Sequence, residues 1–169
     1  TVLPETRRRG DPWTEGIMLN LDAALHLWSG RAQMAQNLAQ EARDVADRLD
    51  DSTLGVQARA LQGRAMVALG RIEDGTEVLL EAYSLADVAD DSESRRRAVS
   101  SNCASAARLG EPERAIRWAA RFESLHEDPG VVGEIDLIVS LALAMLQRGS
   151  VAEAASQLRW VQDASAGTV

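Results

Sequence analysis

Apolar positions along the chain recur with the spacing of amphipathic helices. In residues 54–69 one stripe is formed by Leu61, Ala65, Ala68 and Leu69. In residues 72–89 a second stripe is formed by Val78, Leu79, Ala82, Leu85 and Ala86. Spacings of three and four residues place such side chains on one face of an α-helix. The two segments therefore predict a pair of helices, each with one buried face.

A glycine that separates two such segments recurs along the chain. The glycines follow one another after 40, 40 and 39 residues, at Gly30, Gly70, Gly110 and Gly149. The residue seven positions earlier is small in each copy: Ala23, Gly63, Cys103 and Ala142. So is the residue five positions later: Ala35, Gly75, Ala115 and Ala154. These three sets of positions repeat with the same spacing, which indicates an internal repeat. In each repeat the glycine is expected to end the first helix with positive φ. The small residues on either side of it let the two helices approach closely.

Acidic, turn-forming tripeptides separate the repeats. They occupy residues 10–12, 50–52, 90–92 and 127–129. Asp and Ser in such positions accept hydrogen bonds from the free amides of a helix's first turn, so both aspartates of each Asp-Asp pair are interpreted as helix starts. The copies imply one domain over residues 1–169, with four repeats at approximately 11–50, 51–90, 91–128 and 129–165.

The pattern predicts an all-α fold, a right-handed α-solenoid of four antiparallel helical hairpins. One hairpin cannot bury its own apolar stripes, and stacking of about three or more repeats does so. Aromatic residues make up only 4% of the chain, which argues against a β-sandwich.

The second repeat carries a recognisable set of residues, namely Gly63, Ala65, Met66, Leu69-Gly70, Leu79 and Ala82. At these positions the chain resembles the tetratricopeptide repeat family. Its period near 40 exceeds the usual 34 residues, and HEAT-like repeats, whose period is closer, lack the Leu-Gly break. The long repeat, the opening Gly-Asp-Pro-Trp of residues 10–13 and the absence of Lys are similar to the repeat regions of large bacterial LuxR-type ATP-binding transcriptional regulators. That resemblance implies a region that binds an inducer or a partner protein and controls neighbouring ATPase and DNA-binding domains.

Composition limits the function further. The formal net charge is −8, which argues against direct contact with nucleic acid. All 18 basic residues are Arg, so a Schiff-base lysine and a Gly-Lys-Ser/Thr phosphate loop are excluded. Cys103 is the only cysteine, which excludes an internal disulfide and favours a reducing, cytoplasmic compartment. No apolar run approaches the ~20 residues of a membrane span.

Residue types that carry chemistry do not converge in the sequence. His26 and His126 lie in different repeats at unrelated positions, so neither is predicted to bind a metal. Cys103 occupies a small-residue position and is predicted to be buried. We therefore expect a protein that is not an enzyme and that has no catalytic residue, metal or cofactor.

The first helices of successive repeats offer a candidate binding surface, because in the tetratricopeptide family they line a concave groove. By register this groove draws on Asn20, Ala24, Trp28, Gln57, Arg64, Arg97, Ser100, Arg108, Asp136 and Gln147. Its three arginines are able to bind carboxylate or phosphate through bidentate hydrogen bonds. The alternative is a solvated helix face with local Arg–Glu pairs.

Two non-catalytic functions remain open. The first is a regulatory repeat domain of a bacterial transcriptional regulator that binds a protein, peptide or small effector, in which case the chain is expected to be part of a longer protein. The second is a free-standing adaptor or chaperone-like protein that binds a peptide segment. We also expect that the chain is able to form a homodimer, because the ends of a repeat stack expose apolar surface.

Overall fold

The computed structural model describes residues 10–123 and 131–165, and this part of the chain contains eight α-helices and no strand. The all-α prediction is therefore confirmed. The helices are α1 (Pro12–Trp28), α2 (Ala32–Leu49), α3 (Ser52–Ala68), α4 (Ile72–Val88), α5 (Ser92–Arg108), α6 (Pro112–Glu123), α7 (Val131–Gln147) and α8 (Val151–Ser165). The chain forms two compact units, Thr1–Ala98 and Val99–Val169.

Aspartate side chains begin the first helices of the repeats, as predicted. Asp11 accepts a hydrogen bond from the amide of Thr14 at 3.2 Å, and Asp51 accepts one from the amide of Leu54 at 2.9 Å. Asp91 accepts from the amide of Glu93 at 3.1 Å. Each bond satisfies an amide that has no partner within its own helix, which stabilises the first turn.

The turns that end the helices confirm one prediction and correct another. The repeated glycines have φ between +72° and +84°, as expected of residues that end a helix in the left-handed region. Asp50 and Asp90 also have positive φ, 52° and 51°. Both aspartates of each pair were expected to begin a helix, and this is wrong for the first of them. Asp50 ends α2 because its amide still donates to the carbonyl of Ala46.

Helices α1 to α4 pack in sequence within the first unit. Neighbours contact each other in chain order, and α1 also contacts α3. One buried cluster joins α1, α2 and α3, and contains Leu19, Ala42, Val45, Ala46, Leu54 and Ala58. The parallel neighbours α1 and α3 therefore lie side by side, held together by α2.

Glycines allow α3 and α4 to cross closely. A Cβ added at Gly63 would lie 2.7 Å from the carbonyl oxygen of Gly75, and one added at Gly75 would lie 2.8 Å from the carbonyl oxygen of Gly63. Both distances are too short for non-bonded atoms. The predicted close approach is thus present in this pair, and it depends on the missing side chains.

A hydrogen bond links the first helices of successive repeats. Trp13 Nε1 in the first turn of α1 donates to the carboxylate of Asp51 at 3.1 Å. Thr53 Oγ1 in the first turn of α3 donates to the carboxylate of Asp91 at 3.2 Å. In both cases the acceptor lies 38 residues further along the chain and also begins a helix. The capping aspartates therefore join neighbouring helices as well as starting their own.

In the second unit α6 packs on α7, and α7 packs on α8. Cys103, Ala115, Ala142 and Ala154 are all buried, so the small-residue positions of the repeat are interior here as well. Within residues 10–123 and 131–165, none of the helices combines the length and the apolar character needed to cross a membrane.

Candidate functional site

The candidate site is one face of α1 and α3, which we call the open face and define by Ala24, Trp28, Gln57 and Arg64. Successive helical residues are about 100° apart, so Arg59 lies about 200° around α3 from Gln57. Arg59 is held by Asp47 of α2, with 2.9 Å between Nη2 and Oδ1. The side of α3 that faces α2 and α4 is therefore opposite the side that carries Gln57 and Arg64.

Trp28 is the most distinctive residue of the open face. Its side chain, at the end of α1, is 65% exposed. The residues that occupy the same repeat position, Ala68, Arg108 and Gln147, are also exposed. Exposure is therefore shared by the four residues at this repeat position. An indole ring in such a position offers a large, rigid contact area to a partner.

Asn20 and Gln57, both predicted groove residues, are brought together by the packing of α1 on α3. Asn20 Nδ2 donates to the carbonyl of Leu54 at 3.3 Å and lies 3.5 Å from Gln57 Oε1. Asn20 is buried, whereas Gln57 is half-buried. Asn20 therefore ties the two helices together beneath the open face, and Gln57 is the member of the pair that reaches the surface.

The arginines predicted to bind an anion differ in their surroundings. Arg64 is half-buried on α3. Arg97 is exposed and pairs with Glu93, one turn earlier in α5, at 3.3 Å. Arg95 and Arg96 of the same run pair with Asp90 and Glu93. The local Arg–Glu pairing considered as the alternative is thus what the structure has at Arg96 and Arg97, and Arg95 pairs with Asp90 instead. An exposed pair of this kind contributes ~0.3–0.5 kcal/mol and is easily exchanged for another anion.

The remaining predicted groove residues belong to the second unit. Ser100 is buried and Arg108 is exposed at the end of α5. Gln147 Nε2 donates to the carbonyl of Ala107 at 2.8 Å, so it lies next to Arg108. Asp136 is half-buried. Gln147 is therefore bonded to the backbone of α5 one residue before Arg108, while Ser100 is buried.

Candidate catalytic groups are not assembled in the described residues. His26 is half-buried near the end of α1, and His126 and residues 127–129 lie outside the described residues. Burial, with a smaller contribution from the negative charge of Asp136, raises the pKa of the Cys103 thiol to about 12. A thiol so rarely ionised is a poor nucleophile. Residues 10–123 and 131–165 hold no cluster of three or more metal-ligating side chains.

Sequence reasoning missed a polar network on the neighbour-facing side of α3. Arg43 of α2 contacts Glu81 of α4 at 3.1 Å, and Arg43 Nη1 donates to Gln62 at 3.3 Å. Gln62 Nε2 in turn donates to Gln40 at 2.6 Å. The partners are 19 to 38 residues apart, and no local pattern marks them. This network joins three helices, so it supports the position of α3.

No known protein-family profile matches the sequence, and no curated protein is significantly similar to it. The functional assignment therefore depends on the geometry of the site.

Proposed function

We propose that the chain is a non-catalytic, tetratricopeptide-like binding module that holds a polypeptide segment on the open face, with Trp28 as its anchor. The observation that carries the proposal is the 65% exposure of Trp28 at a repeat position that neighbouring repeats leave uncovered. The proposal includes the finer fold prediction, four hairpins with a period near 40 residues in a right-handed α-solenoid.

The chemistry of the open face favours a peptide with both apolar and polar groups. The ring of Trp28 offers an apolar surface, and Ala24 beside it leaves space for a partner side chain. Gln57 and Arg64 on the adjacent helix supply hydrogen-bond donors that suit main-chain carbonyls or a carboxylate. A small effector that carries an apolar ring and a carboxylate fits the same groups, and titration with each class of ligand separates the two.

In this proposal the module belongs to a cytoplasmic bacterial transcriptional regulator and passes its bound state to an ATPase and a DNA-binding domain. The resemblance of its repeats to LuxR-type regulators supports this setting. The alternative is a free-standing adaptor or chaperone-like protein. The full reading frame separates the two, because only the regulator has those domains fused to the repeats.

Replacing Trp28 tests the binding site. We expect Trp28→Ala to weaken binding at least tenfold, since an aromatic anchor at an interface contributes ~2 kcal/mol or more. Partner capture from the source cells identifies the ligand, and calorimetry with the purified partner then measures its affinity. The matched control is Leu80→Ala, which removes an exposed apolar side chain from α4.

Both variants are expected to keep the thermal stability of the wild type, because both side chains are exposed. Equal affinities of Trp28→Ala and the wild-type protein would contradict the proposed site. If Leu80→Ala alone weakens binding, the partner lies on the second helices and the open face is not the binding surface.

A further inference from the structure

An amide side chain is buried between the first helices of the first two repeats. Asn20 of α1 is only 4% exposed, and its Nδ2 donates to the carbonyl of Leu54 in α3 at 3.3 Å. The same nitrogen donates to Gln57 Oε1 at 3.5 Å. Asn20 Oδ1 is also buried, and it has no hydrogen-bond partner within the described residues. Asn20 therefore directs its donors at α3 and leaves its own oxygen unsatisfied.

The carbonyl of Leu54 decides which way round the Asn20 amide lies. A carbonyl oxygen only accepts hydrogen bonds, so the Asn20 atom that faces it has to be the donor, Nδ2. The second hydrogen of Nδ2 then needs an acceptor, and Gln57 supplies Oε1. The nitrogen of the Gln57 amide consequently lies on the other side, away from Asn20. Among the described residues nothing bonds Gln57 Nε2, which reaches solvent.

Helix packing alone does not require an amide at this repeat position. The next two repeats have Ala60 and Ser100 there, and both are buried. A buried acceptor without a partner costs free energy, which an alanine in place of Asn20 would avoid. The contact that accompanies this cost is the hydrogen bond to Gln57, one of the residues that define the open face.

We propose that Asn20 is a positioning residue that sets the specificity of the open face at Gln57. It holds the Gln57 amide with both N–H groups of Nε2 outward, so this point of the surface binds a carbonyl or carboxylate oxygen of the ligand. A ligand group that only donates, such as an amine, finds no acceptor there. The inference rests on the proposed function of the open face and narrows the chemistry of its ligand.

Nuclear magnetic resonance of the nitrogen-labelled, unbound protein measures the orientation of both amides. We expect both side-chain N–H protons of Gln57 to exchange with water at least tenfold faster than those of Asn20, because only the latter are buried and bonded. N,N-dimethylacetamide, which has a carbonyl oxygen and no N–H group, serves as the acceptor probe. It should shift the Nε2 protons of Gln57 further than those of Gln147, whose Nε2 already donates to a carbonyl of α5.

Variants of Asn20 test whether this residue sets the orientation. Asn20→Ala introduces the residue type of the second repeat and removes the donor, so the Gln57 amide should become mobile, with a lower order parameter at Nε2. Asn20→Asp offers only acceptors while ionised, so Gln57 should turn Nε2 inward and lose its response to dimethylacetamide. Asn37→Asp makes the same change at an exposed position of α2 and should leave Gln57 as in the wild type. If the buried charge of Asn20→Asp unfolds the protein, as circular dichroism would show, Asn20→Ala decides the question.

Any one of three results would overturn the proposal. The first is slow exchange of a Gln57 side-chain proton in the wild type. The second is a Gln57 amide that is as ordered in Asn20→Ala as in the wild type. The third is a folded Asn20→Asp variant in which Gln57 still responds to dimethylacetamide.

None of these measurements involves Trp28 or a bound partner. A Trp28→Ala variant that binds as tightly as the wild type would contradict the open face as the binding surface and would leave the orientation of Gln57 unchanged. The two proposals therefore fail separately.

Discussion

At the scale of single residues, the repeat position of a side chain explains its surroundings better than its chemical type does. Cys103 stands where other repeats have Ala or Gly, and it is fully buried. Trp28 stands where other repeats have exposed residues, and it is exposed. Asn20 shows the limit of this reasoning. Its register placed it in the groove, but its side chain is buried between α1 and α3 because it turns toward the carbonyl of Leu54.

The raised pKa of Cys103 gives a prediction at this scale. The folded protein at pH 8 is expected to react with a thiol reagent at least a hundredfold more slowly than the denatured protein. Burial keeps the reagent away from Cys103, and the raised pKa leaves very little of the thiol in its reactive, ionised form. The rate of release of the coloured thiolate from Ellman's reagent measures this. Ser84→Cys, on the exposed part of α4, supplies a control thiol that reacts at once. Equal rates for the two thiols would show that Cys103 is accessible.

At the scale of helices, close packing depends on a few glycines, because a side chain at these positions would keep the helices apart. Alanine favours a helix over glycine by about 1 kcal/mol, so an added methyl group is tolerated wherever space exists. The Gly63–Gly75 crossing has no such space, because the nearest atom to an added Cβ is a backbone oxygen. At Gly55 the nearest atoms are the ends of flexible side chains, Arg59 at 3.0 Å and Leu85 at 3.3 Å.

Gly63→Ala and Gly55→Ala therefore form a matched pair. We expect Gly63→Ala to lower the free energy of unfolding by about 1–3 kcal/mol, since α3 and α4 must separate to admit the methyl group. Gly55→Ala is expected to be neutral or slightly stabilising, since Arg59 and Leu85 are able to move. Urea unfolding followed by circular dichroism measures both. A Gly63→Ala variant as stable as the wild type would mean that the two helices do not cross this closely.

At the scale of the whole molecule, carboxylates at helix starts make stability depend on pH. The hydroxyl of Ser94 and, less strongly, the amides of Ser94 and Glu93 lower the pKa of Asp91. The hydroxyl and amide of Thr14 lower the pKa of Asp11. A carboxyl group whose pKa is lower in the folded state than in the unfolded state stabilises the fold above its unfolded pKa. That stabilisation is lost as the pH falls through the folded value.

The protein is therefore expected to lose stability as the pH falls below about 4, near the pKa of an unperturbed aspartate. Asp91→Asn should reduce this acid-induced loss, because an amide keeps some capping ability and does not titrate. Glu77→Gln, which removes an exposed carboxylate of α4, is the control and should leave the pH dependence unchanged. Urea unfolding at pH 7, 5 and 3 measures the effect. An Asp91→Asn variant with the full acid dependence of the wild type would show that other groups cause it.

The sequence by itself determined the features that depend on local chemistry. Helix positions follow from apolar spacing, the glycine turns follow from the left-handed conformation that glycine tolerates, and the caps at Asp11, Asp51 and Asp91 follow from bonds within three residues. The burial of Cys103 was also predictable from the sequence, because a repeat places equivalent residues in equivalent surroundings. For the candidate site, register supplied only a set of positions, of which the structure shows Trp28 exposed and Gln57 half-buried.

Only the tertiary structure decided which side chains meet across helices. The bonds from Trp13 to Asp51 and from Thr53 to Asp91 span 38 residues, and the pairing of Arg43 with Glu81 depends on the way α2 and α4 flank α3. Side-chain geometry also placed Asn20 beneath the open face and paired Arg97 with Glu93. Periodicity identifies the buried face of a helix, but the partner that covers it is a property of the packed chain.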